Sequence, residues 1–103
     1  MIDIDSLRKL STLEKLAVSS HAKQRMVERE ISVDDVLSAI SNGTIIKQYE
    51  DDKPLPSCLV LGKDLLSHPI HVVLSMDDAF IYIITAYHPD ANIWSGDFRI
   101  KRS

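Results

Sequence analysis

The spacing of apolar residues changes once along this chain, near Gly43, and that change restricts the fold to a narrow class. Before it, Leu7, Leu10, Leu13 and Leu16 recur at near-helical spacing with Arg8, Lys9, Glu14 and Lys15 between them, which predicts an amphipathic helix over residues 5–15. A short extended link, Leu16-Ala17-Val18-Ser19, leads to a second helix with Ser20 as its N-cap, ending near Glu30. Ser32-Val33-Asp34-Asp35 then has the form of a capping box with Asp in place of Glu. Val33, Val36, Leu37 and Ile40 make one stripe behind it, and Gly43 marks the expected end of this third helix.

From Thr44 onward the pattern is that of strands: 44–50, then 57–63 after the Pro54-Leu55-Pro56 loop, then 70–76, then 79–87 after a tight turn at Asp77-Asp78. Strict alternation would put Phe80, Tyr82, Ile84 and Ala86 on one face of the last strand and Ile81, Ile83, Thr85 and Tyr87 on the other. Short connections favour antiparallel neighbours, so the expected sheet is a four-stranded antiparallel meander. Helices first and strands after is the α+β pattern, with helices on one sheet face and the other left for a ligand, a partner or solvent. The tail carries the lone Trp94, an aromatic expected to fold back and bury itself.

A chain of 103 residues, 45% hydrophobic, suffices for one core, so a single domain over 1–103 is expected, with helices at 5–42, the sheet at 44–87 and a tail at 88–103. Its apolar runs are too short to cross a bilayer, and Asp3 and Asp5 stand where a signal peptide needs basic residues, which points to the cytoplasm. Cys58, the only cysteine, lies in an apolar run and rules out an intrachain disulfide. The formal net charge of −3 argues against a general nucleic-acid binder. The distribution matters more: cations collect at Lys23 to Arg29 and again at Arg99, Lys101 and Arg102.

The second helix holds the densest chemistry. At about 100° per residue, His21, Arg25 and Glu28 lie within roughly 60° of one another, and Arg29 flanks them beside Ala22 and Met26. An imidazole, guanidinium groups and a carboxylate together suit phosphate binding and proton transfer. They equally suit a solvated face with weak ion pairs.

Ser20-His21-Ala22, Arg25-Met26, Glu28-Arg29 and Ile31-Ser32 resemble the opening motif of a bacterial domain family of unknown function, placed by fold near the RelE-like and barnase-like ribonucleases. Pro56-Ser57-Cys58-Leu59-Val60-Leu61-Gly62, Pro69-Ile70-His71-Val72-Val73, and Ile84-Thr85-Ala86-Tyr87 with Pro89-Asp90 and Trp94 resemble its later blocks in the same order. The likeness spans about Ser19 to Arg102. It implies a helical layer on an antiparallel sheet, membership of toxin–antitoxin systems whose toxins cut RNA, and a small antitoxin-like partner with a zinc ribbon or a helix-turn-helix. Position 30 is Glu where the family usually carries Gly, which implies a differently built turn.

Metal-independent RNA cleavage needs a base for the 2′-OH, an acid for the leaving 5′-oxygen and cations for the charge on phosphorus. The candidates are His21 and His71 as base and acid, Arg25, Arg29 and Arg99 as phosphate clamps, Glu28 beside them, and Tyr87 as a proton-transferring or positioning hydroxyl. Lys23, Arg99, Lys101 and Arg102 are candidate RNA contacts. Each of these residue types also has an ordinary structural use. A zinc site of His21, His71, His88 and a carboxylate is not favoured, because no two histidines stand at helical i, i+4 spacing, and no cofactor is expected. The alternatives to a ribonuclease are a non-catalytic protein-binding module, such as a degenerate toxin, and an oligomeric structural domain joined through an edge strand such as 44–50.

Overall fold

The structure, a computed structural model, describes residues 1–102. Helix α1 (Ile4–Leu10) starts at Asp3, whose carboxylate accepts the Ser6 N–H. It is shorter than the leucine spacing predicts. Ser11 and Thr12, which compete for backbone hydrogen bonds, end it, and Leu13–Lys15 forms only a 3-10 turn. Arg8 of α1 donates to the carbonyls of Ile40 (3.3 Å) and Gly43 (2.9 Å), satisfying acceptors at the end of the third helix.

Helix α2 (Ser20–Glu28) is capped by Ser19, one residue before the expected Ser20, with its Oγ accepting the Ala22 N–H at 3.1 Å. At its other end the Glu30 N–H bonds to Val27 O and the Ile31 N–H to Met26 O, the Schellman arrangement, with Glu30 at φ 57°. Met26 and Ile31 are both buried there. The turn has the left-handed conformation that glycine adopts freely, and here Glu30 adopts it. Helix α3 (Val33–Asn42) carries the capping box read from the sequence, with Ser32 and Asp35 bonding to each other's backbone N–H at 2.9 and 3.0 Å.

Strands β1 (Leu16–Val18), β2 (Thr44–Tyr49), β3 (Ser57–Lys63), β4 (Pro69–Met76) and β5 (Ile81–Tyr87) form one sheet in the order β1-β5-β4-β3-β2. The last four make the expected antiparallel meander. The four-stranded, purely antiparallel expectation is corrected by β1, which pairs parallel to β5, Leu16 opposite Ile81 and Val18 opposite Ile83. Three residues are too few to show a period, and their partner lies far along the chain, so this segment read as a link. The architecture is α+β with a mixed five-stranded sheet.

One sheet face holds the core. Cys58 and Val60, Ile70, Val72 and Leu74, and Ile81, Ile83 and Ala86 pack there against Leu7, Met26, Ile31, Val36, Ala39 and Ile40 of the helical layer. Burial pushes the Cys58 thiol up to about 12. Helix α3 sits directly on β3 at Gly62, where a Cβ would collide with the Ala39 backbone.

Two β-bulges decide what reaches the opposite face. In β2 the register shifts between Ile45 and Lys47, so Ile45 pairs with core-facing Val60 while Lys47 pairs with Leu59 on the other side. In β5 the shift lies between Ile83 and Thr85; Ile81 and Ile83 stay in the core, Ile84 turns out at 47% exposure, and Tyr87 pairs with His71. Strict alternation, which kept Tyr87 on the face of Ile81 and Ile83, fails at that bulge.

Candidate active site

Because Ile70, Val72 and Leu74 face the helices, His71 projects from the second face of the sheet, as its place between Ile70 and Val72 implies. That face is not open there. The tail folds back over it, setting the Trp94 ring edge-on to the imidazole at 4.4 Å between centroids, and His71 is 0% exposed.

The imidazole has two partners. Nε2 lies 2.8 Å from the Phe98 carbonyl oxygen, which can only accept, so Nε2 carries a hydrogen. Burial lowers the His71 pKa and the carbonyl contact opposes this, so the neutral ring is favoured. Nδ1 then has a free lone pair and accepts the Tyr87 hydroxyl at 3.3 Å. The Tyr87 pKa is raised, chiefly by burial and next by Tyr49, against a lowering by the Arg29 charge, which keeps the phenol protonated. A directed chain results: Tyr87 O–H to His71 Nδ1, and His71 Nε2–H to Phe98 O.

Tyr87 lines a hollow of about 470 Å³ with Lys47 and Tyr49 of β2 and Trp94, Arg99, Ile100 and Lys101 of the tail. Three cations and three aromatic rings share it, and among the described residues no carboxylate is in its lining. Lys47 Nζ stands 5.5 Å over the Tyr49 ring. Asp97 outside the hollow is a weak exposed partner of Arg99, at 3.9 Å.

The histidine and arginine stripe of α2 is elsewhere. Ala22 and Met26 are buried, while His21, Lys23, Arg25 and Glu28 are exposed, Glu28 accepting from Gln24 Nε2 at 3.4 Å. Among the described residues no hydrogen bond or ring contact joins His21 or Arg25 to His71 or Tyr87, and none of the α2 candidates lines the hollow. Arg29 shares the inward stripe. Its Nη1 donates to Thr85 Oγ1 (3.1 Å) and Ala86 O (2.9 Å), tying α2 to the part of β5 that β1 leaves uncovered, next to Tyr87. Arg102 donates from Nε to Ala91 O and Trp94 O and so braces the tail.

Of the sequence candidates, the structure brings together His71, Tyr87, Arg99 and Lys101. It adds Lys47, Tyr49, Trp94 and the Phe98 carbonyl, which sequence reasoning missed as site components. Lys47 and Tyr49 stand two apart in a strand, a signal that they share a face, but only the bulge shows which face. Among the described residues no three His, Cys, Asp or Glu side chains gather closely enough to hold a metal ion, and no helix is long and apolar enough to cross a membrane.

No curated protein and no solved structure matches the chain. A family model matches residues 18–88, from the end of β1 to just past β5, so the block at Pro89-Asp90 and Trp94 lies beyond the matched segment. With that match over more than half its length, the chain belongs to the family described as Domain of unknown function (DUF4258).

Proposed function

We propose that this protein is a toxin-like, metal-independent endoribonuclease of a toxin–antitoxin system, related by fold to RelE-like and barnase-like enzymes, that holds RNA in the hollow above the second sheet face. The observation that carries the reading is the Tyr87 hydroxyl, backed by a neutral imidazole acceptor and set among Lys47, Arg99 and Lys101. Aromatic walls with cations between them suit unstacked bases and a phosphate backbone.

In the reaction, the 2′-OH gives its proton to the Tyr87 oxygen as the phenolic proton passes to His71 Nδ1. The 2′-oxygen bonds to phosphorus, and the bond from phosphorus to the 5′-oxygen breaks. That oxygen takes a proton from a cavity ammonium, Lys47 or Lys101, while Arg99 holds the equatorial oxygens. His71 becomes an imidazolium with both nitrogens donating, to Tyr87 and to Phe98. The products are a 2′,3′-cyclic phosphate and a 5′-hydroxyl. Incubating the protein with RNA in the presence of a chelator tests this: cleavage with those termini is expected, and intact RNA would refute it.

The complete burial of His71 favours a second reading, a non-catalytic binding module in which Tyr87-His71-Phe98 only locks the tail. It predicts RNA or antitoxin binding in the same hollow without turnover.

A further inference from the structure

The residues after β5 close largely on themselves. Trp94 bridges to Lys101, the Ser95 N–H bonds to Ile100 O at 2.8 Å, the Arg102 N–H to Ile93 O at 2.6 Å, and Arg102 Nε to Trp94 O at 2.8 Å. Among the described residues, the one hydrogen bond from 89–102 to the sheet is that between His71 Nε2 and Phe98 O, and Phe98 holds that position at φ 61°, a left-handed conformation unfavourable to a bulky side chain. Four walls of the hollow, Trp94, Arg99, Ile100 and Lys101, come from this segment, and the facing Lys47, Tyr49 and Tyr87 come from the sheet. Cations thus stand on both sides of a seam that the His71 imidazole fastens through its hydrogen bond to Phe98 O and its edge-on contact with the Trp94 indole. Unoccupied, they repel one another across it.

We propose that residues 89–102 act as a clamp that opens as a unit and is closed by a polyanionic strand whose phosphates bridge Lys47 of the sheet to Arg99 and Lys101 of the tail. The proposal rests on the nucleic-acid reading of the hollow, but not on cleavage. A lone hairpin of this size is marginal in water, so detachment melts it and releases its amides to exchange. Filling the seam costs the open state its advantage, because only the closed form presents all three cations to one strand.

The test is hydrogen exchange on the full chain with and without a single-stranded 2′-O-methyl RNA oligonucleotide, which cannot be cut at its 2′-oxygens. The fluorescence of Trp94, the only tryptophan, is followed in parallel. In the free protein the amides of Trp94, Ser95 and Arg102 should exchange together and well ahead of those of β3 and β4. At an oligonucleotide concentration about a hundred times Kd, tail exchange should slow about a hundredfold. Lys47→Ala should abolish most of that slowing, and, with one cation fewer across the seam, tail exchange in the free protein should be no faster than in the wild type. Tail amides as protected as the central strands without RNA, or exchange unchanged at saturating oligonucleotide, would overturn the clamp. RNA left uncut by a protein whose tail does close would remove the nuclease reading and leave the clamp standing.

Discussion

His71 Nδ1 and the Tyr87 hydroxyl meet at 3.3 Å because one extra residue, Ile84, bulges out of β5 and turns Tyr87 away from the helices. The same device in β2 brings Lys47 to that face. Bulges commonly re-aim side chains beside functional sites, and here two of them assemble the hollow from strands whose plain alternation would scatter its residues.

His71 should be a keystone of stability as well as of chemistry. His71→Ala removes a buried ring and leaves the Phe98 carbonyl without its donor, at a cost of about 2–4 kcal/mol. Urea unfolding would show the lowered midpoint, and hydrogen exchange should show the tail released first. An unchanged midpoint would mean that the tail does not depend on the imidazole.

Acidification should loosen the protein through the same residue. Burial lowers the folded pKa of His71 below its ordinary value of 6.5, so the unfolded state binds more protons once pH drops under that value. The stabilisation is therefore complete above about pH 6.5 and is lost as pH falls toward the folded pKa, at no more than about 1.4 kcal/mol per pH unit for this one group. Melting curves of the wild type and His71→Gln between pH 7.5 and 5 check the sign, because the substitution should flatten the slope.

Glu30→Gly should stabilise the fold by about 0.5–1 kcal/mol, since glycine relieves the left-handed strain at φ 57° and the turn's hydrogen bonds remain. Gly62→Ala should act in the opposite sense, costing about 1–3 kcal/mol by lifting α3 off β3 at Ala39. Thermal unfolding of both variants tests the helix-layer geometry independently of any activity.

RNA affinity should depend on salt through the cations of the hollow. Lys47→Ala and Lys101→Ala should each reduce the slope of log K against log salt by about one, whereas Lys23→Ala, on the exposed side of α2, should leave it unchanged. Fluorescence titration at several salt concentrations reads this directly.

The capping box at Ser32 and Asp35, the three helices and the β2–β5 meander were legible because each depends on local spacing and turn chemistry. Strand β1 was not, since three residues show no period. The site was legible only in part. His71 could be assigned to the face away from the helices from its neighbours Ile70 and Val72, but a bulge is a pairing decision between two strands and leaves no mark at Ile84 or Ile46 alone. The α2 stripe shows the complementary limit. His21, Arg25 and Glu28 do share a helix face, yet periodicity does not say which stripe faces inward, and Ala22, Met26 and Arg29 form that stripe.

The most direct test compares wild type and Tyr87→Phe in cleaving a single-stranded RNA with a chelator present, with binding measured alongside. We expect 2′,3′-cyclic phosphate products from the wild type, a loss of about a hundredfold or more in cleavage rate when the hydroxyl is removed, and RNA affinity kept. Equal cleavage by the two proteins, or none by the wild type, would contradict it.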